Sequence, residues 1–124
     1  MSYKRGYDVS KSELQKRELL SREDALELSR LFKIFANDTR LRLLHALVRE
    51  GEMCVGELAN AIGMKPQAVS NQLQRLIDRG IVGCRRCGCN VYYRVLDPCV
   101  PILLERGLCL LETPRGRDAQ RKRH

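Results

Sequence analysis

The stretch VGELANAIGMKPQAVSNQLQRLIDRG, residues 55–80, decides the fold. Its apolar residues fall in two short sets: Val55, Leu58, Ala59 and Ile62, then Val69, Leu73, Leu76 and Ile77. Within each set they recur at spacings of three and four, the mark of an amphipathic helix. Gly63 stops the first helix and Met64-Lys65 makes the turn. Pro66 suits the first position of the second helix, where its missing N–H costs nothing. That helix runs to about Asp78 and closes on Arg79 and Gly80. Two short helices joined by a tight glycine turn form a helix-turn-helix.

Upstream, Ser21-Arg22-Glu23-Asp24 has the form of a helix start, a serine cap with an acid three positions on. Ala25, Leu28, Leu31, Phe32 and Phe35 give that helix an apolar stripe. Asn37-Asp38 breaks it. Asp38 is then the expected cap of a second helix that carries Leu41, Leu44, Leu47 and Val48 inward, with His45 on the same buried face, and ends at Gly51. Downstream of Gly80 the period changes to two. Ile81 to Arg86 and Val91 to Val95 flank a tip at Cys87-Gly88-Cys89, which predicts a β-hairpin. Asp97-Pro98 starts a last helix over 99–112, apolar nearly all round at Val100, Ile102, Leu103, Leu104, Leu108, Leu110 and Leu111. A helix so apolar needs cover, and in a small domain the usual cover is a second copy of itself. Residues 1–20 read as a flexible arm, 21–112 as the folded domain and 113–124 as a basic disordered tail.

The 124 residues suffice for one domain and not for two. Lys and Arg outnumber Asp and Glu by 23 to 15, and the resulting +8 favours a polyanionic partner, most often nucleic acid. No segment approaches the ~18 apolar residues needed to cross a bilayer, and none resembles a signal peptide, so a cytoplasmic protein without a membrane partner is expected. There its six cysteines rest reduced, and clustered thiols point to metal or redox chemistry. An enzyme is not expected. The sequence has no Ser/His/Asp set and no Gly-rich phosphate loop; its only histidines are His45 and His124, so a cysteine nucleophile would lack a base.

On a helical wheel, Gln67, Asn71, Gln74 and Arg75 stand opposite the apolar stripe of the second helix of the pair, with Ser70 at its edge. Amides read adenine, Arg reads guanine or grips phosphate, and Ser serves either. Lys65 stands at the start of that helix, and Arg85-Arg86 near the hairpin tip suit a wing that holds phosphate or a minor groove. A double-stranded DNA operator is the partner this surface fits.

Several segments in order resemble one family. Ala36-Asn-Asp-Thr-Arg-Leu-Arg-Leu-Leu44 resembles the L-S-D-P-T-R-L-R-I-L opening of the ArsR/SmtB repressors. Gly51-Glu-Met-Cys-Val-Gly-Glu-Leu58 is similar to their E-L-C-V-C-D-L segment, and Gln67-Ala-Val-Ser-Asn-Gln-Leu73 to their recognition helix. Gly80-Ile-Val and Val91-Tyr-Tyr-Arg-Val95 resemble their wing. The resemblance implies a winged helix-turn-helix fold, mainly α with a β-hairpin. It also implies a homodimer joined through the first and last helices, a two-fold operator and release by a small inorganic inducer.

The cysteines carry the question of the inducer. Cys54 falls on the first Cys of the family's C-V-C segment, but Gly56 replaces the second and the N-terminal arm holds no thiol. A second familiar site uses Asp and His in the last helix. Here Asp97 is present and the histidines are missing. Cys99 and Cys109 lie ~15 Å apart on one helix and cannot share an ion. Across an antiparallel pair of terminal helices one could approach the other, with Cys54 as third ligand. Such a site suits arsenite or antimonite, or cadmium, lead, mercury or zinc. Cys84, Cys87 and Cys89 form a second candidate cluster in the wing, which lacks a fourth ligand. A repressor released by a thiol-binding ion is the leading expectation. The alternatives are a thiol-redox repressor, and a structural zinc module that binds nucleic acid without signalling.

Overall fold

A computed structural model of the chain describes residues 13–112. The expected basic tail, and the arm up to residue 12, lie outside the described residues. The chain divides into two units, residues 1–32 and 33–124. The first holds a one-turn helix, α1 (Glu13–Lys16), and most of α2 (Arg22–Phe35). Ser21 caps α2 as expected, its Oγ accepting the Asp24 N–H at 3.0 Å.

The second unit is built around α3 (Asp38–Glu50), which packs against α4 (Val55–Ile62), α5 (Pro66–Asp78), α6 (Cys99–Glu112) and the sheet. Asn37, not Asp38, is its cap: the Asn37 carboxamide oxygen accepts the Arg40 N–H at 2.9 Å. The inward face also differs from expectation. Leu43, Leu44 and Leu47 are buried, whereas Leu41 and Val48 are 38% and 40% exposed, and His45 is exposed with them. At 100° per residue, positions 41, 45 and 48 share one narrow stripe, while 43, 44 and 47 share another. The packing partners of α3 select the second.

The helix-turn-helix matches the sequence reading closely. α4 ends where Gly63 takes a positive φ of 71°, and Pro66 opens α5. Val69, Leu73 and Leu76 are buried under α5, with Ile77 half-buried beside them. Strands β2 (Val82–Cys87) and β3 (Asn90–Val95) form the hairpin. Gly88 has a φ of 66° at the first position of the two-residue turn, where a type II′ turn requires it. A third strand that the sequence did not announce, β1 (Met53–Cys54), pairs with β3 and gives the order β1-β3-β2. α6 begins at Asp97-Pro98, the Asp97 carboxylate accepting the Cys99 N–H at 2.8 Å. Val100 is buried, residues 101–104 are half-buried, and the rest of α6 is exposed in the single chain. Among the described residues no helix is long and apolar enough to cross a membrane.

Candidate nucleic-acid interface and thiol sites

One exposed face of α5 carries Gln67, Asn71, Gln74 and Arg75, with Ser70 half-buried at its edge. Two contacts hold these side chains along the helix. The Gln67 amide donates to Asn71 Oδ1 at 3.2 Å, and the Gln74 amide donates to Asp78 Oδ1 at 2.8 Å. Each spans four residues, the spacing at which side chains on one helical face meet. Both are exposed, so a base edge or a phosphate can replace them at little cost. Lys65 is exposed at the cap position of the same helix.

The wing is organised by one ion pair. Arg85 lies on β2, directly opposite Tyr92 on β3, and Tyr92 in turn lies opposite Cys54 on β1. The Arg85 guanidinium forks onto Glu52: Nε donates to Oε2 at 2.9 Å and Nη2 to Oε1 at 2.8 Å. It also lies 5.2 Å from the centre of the Tyr92 ring, within cation–π range. The hydrogen bond from Arg85 holds the Glu52 carboxyl below its ordinary value, and Glu52 raises that of Arg85 in return. Arg85 is therefore turned back along the sheet toward β1, while Arg86 remains exposed nearer the tip. Arg94 is a further exposed cation of the wing that the sequence reading passed over. It stands two residues from Tyr92 on β3, hence on the same face as Arg85.

The thiols are dispersed. Cys54 is half-buried at the cap of α4, with its N–H held by Glu57 Oε1 at 3.0 Å. Cys99 and Cys109 are exposed on the first and last turns of α6. Cys84 and Cys87, three residues apart on β2, project to opposite faces of the hairpin, and Cys89 occupies the turn. Among the described residues no three His, Cys, Asp or Glu side chains converge on a point where an ion could sit. The Asp97 carboxylate, by accepting a hydrogen bond and by its charge, pushes the Cys99 thiol above its ordinary value. A soft ion at Cys99 must therefore displace a proton that Asp97 helps to hold.

A family model described as "Bacterial regulatory protein, arsR family" matches residues 37–83. The crystal structure of AntR, an antimony-specific transcriptional repressor, is 62% identical, with a TM-score of 0.73 over 82% of this chain and 92% of that one. The chain belongs to the ArsR family. The homodimeric winged helix-turn-helix DNA-binding domain Mb0332 of Mycobacterium bovis is 33% identical, with a TM-score of 0.64 over 77% of this chain and 90% of that one. A transcriptional repressor SmtB homolog of Synechocystis is 41% identical over 64% of this chain, and the match spans 60% of that protein's length. As in other ArsR-family chains, α4 and α5 with the β2–β3 wing make a winged helix-turn-helix, and the family is one of transcriptional regulators.

Proposed function

We propose that this chain is a dimeric, DNA-binding transcriptional repressor that a thiophilic metalloid or metal ion releases from its operator. The observation that carries the reading is the 62% identity with a repressor described as antimony-specific, extending over 92% of its chain. On the DNA side, Lys65, Gln67, Ser70, Asn71, Gln74 and Arg75 enter a major groove, and Arg85 and Arg86 hold the backbone beside it. Two copies of α5 related by a two-fold axis sit about 34 Å apart, one helical turn of duplex. Residues 21–112 form the binding and dimerisation domain, with α2 and α6 as the dimer elements and the segments 1–20 and 113–124 as its flanks.

On the inducer side, antimonite and arsenite share one chemistry: a soft trivalent centre that takes two or three thiolates. Among the described residues no three such ligands converge within one chain, and the second copy completes the set. Cys99 of one protomer and Cys109 of the partner subunit supply two thiolates, and Cys54 the third. The bound ion favours a dimer geometry that spaces the two recognition helices poorly for DNA, with a coupling of about 1–3 kcal/mol.

The reading is tested by selecting duplexes from a random pool with the reduced protein. Fluorescence anisotropy on the selected duplex then follows additions of antimonite, arsenite, cadmium, zinc and finally peroxide. Enrichment of a two-fold repeat and release by antimonite or arsenite is the expected result. A pool without enrichment overturns the DNA reading. Release by peroxide alone replaces the ion with a thiol oxidation. Tightly held zinc with unchanged DNA affinity makes the thiols structural.

A further inference from the structure

Arg40 lies outside both surfaces described above, yet its side chain bonds to three separate residues. Nε donates to the carbonyl oxygen of Ile34 at 2.7 Å, and Nη2 reaches that of Lys33 at 3.4 Å. Nη1 donates to Gln72 Oε1 at 2.8 Å, across 32 residues of sequence. The Arg40 backbone N–H is itself fixed by the Asn37 cap. One half-buried guanidinium thus joins three elements: the last turn of α2, the first turn of α3 and the middle of α5.

Each contact has a physical reason. The last carbonyls of a helix have no partner within it and carry the negative end of its dipole, so a planar cation is favoured there. Arg has donors only, so Gln72 must turn its carbonyl oxygen toward Arg40, and its amide orientation is fixed. Gln72 is flanked on α5 by Asn71, on the exposed amide face, and by Leu73, fully buried. The contact therefore anchors the recognition helix in the polar seam between its core side and its reading side. Leucines under α5 set its depth but tolerate sliding along the axis, because apolar contact is not directional. A charge-assisted hydrogen bond is directional and resists that sliding.

We infer that Arg40 is a positioning residue for operator recognition: through Gln72 it fixes the rotation and register of the recognition helix against the last turn of α2. The inference rests on the DNA-binding reading and goes beyond it, since it names the part that aims the helix. Lys cannot replace Arg here, because an ammonium has no planar fork with which to bridge two carbonyls and an amide at once.

The test compares wild type, R40K, Q72A and the double variant on one duplex selected by the wild-type protein. Affinity is measured at several salt concentrations, and thermal unfolding is recorded alongside. R40K and Q72A should each lose roughly tenfold in affinity for the selected duplex. Neither should change affinity for a scrambled duplex, nor the slope of log affinity against log salt. The double variant should be no weaker than R40K alone, because both substitutions remove one contact. Q72A removes a half-exposed amide and keeps the core intact, so it reports even if R40K unfolds. Wild-type affinity in Q72A overturns the inference, as do losses that add in the double variant. A shallower salt slope in R40K also overturns it, by making Arg40 a direct phosphate contact. If the wild type selects no sequence at all, the DNA-binding reading falls first and this inference with it.

Discussion

Glu52 decides what Arg85 can do. In the DNA-free chain the two form a forked ion pair, so the wing meets a duplex with one of its cations already engaged. A phosphate must take Arg85 from a carboxylate. Exposed pairs of this kind are weak and exchange readily, so Glu52 tunes affinity and does not block it. Replacing Glu52 with Gln should tighten DNA binding by about two- to fivefold. The slope of log affinity against log salt should stay as in wild type, because Arg85 meets the same phosphate in both proteins. Unchanged affinity would place Arg85 outside the interface. A second residue-scale prediction concerns Cys99. The Asp97 carboxylate raises its thiol, so less thiolate is present near neutral pH than in an ordinary cysteine. Asp97→Asn keeps a capping side chain at the start of α6 and removes the charge. The Cys99 titration should then move to lower pH, and iodoacetamide should label it several-fold faster at neutral pH, read by mass spectrometry of each cysteine. Labelling no faster in the variant would contradict the assignment of Asp97 as the cause.

At the scale of elements, the helix-turn-helix was legible because its signals are local. Gly63 and Pro66 punctuate it, and the apolar spacing of α4 and α5 admits one inward face each. The inward face of α3 was not legible. Leu41, Leu43, Leu44, Leu47 and Val48 offer two apolar stripes, and only the neighbours of α3 choose between them. Unfolding in urea checks the outcome. Leu43→Ala should cost about 2–5 kcal/mol, and Leu41→Ala clearly less. The reverse order would restore the face expected from sequence. Strand β1 is two residues long, too short for any alternation to announce it. The partners of Arg40 and Arg85 lie 32 and 33 residues away, beyond the reach of any periodicity. For α5, Asn71→Ala should leave the unfolding transition in place and reduce discrimination at one base pair by about 1–3 kcal/mol, measured on a panel of single-base duplex variants. Equal losses on every duplex would make Asn71 a backbone contact.

At the scale of the whole molecule, the proposed function requires two copies. The charge of +8 and the polar face of α5 were readable from composition and spacing, but the proposed inducer site, shared between protomers, would have no signature within one chain. Dispersed thiols are what half of such a site looks like. Leu108, 46% exposed on α6, belongs to the face on which we propose that the second copy packs. Leu108→Glu should convert the dimer to monomer in sedimentation velocity and weaken operator binding, since each monomer then holds one half-site. A dimer that survives the substitution would move the interface off α6. Whether an ion on these thiols releases DNA is decided by one titration. Antimonite is added to the reduced protein on its selected duplex, for wild type and for Cys54→Ser, Cys99→Ser and Cys109→Ser, with anisotropy as the readout. Release is expected in the wild type and loss of release in Cys99→Ser and Cys109→Ser, with DNA affinity before antimonite unchanged in all three variants. Release that persists undiminished in all three would contradict the proposed thiol site.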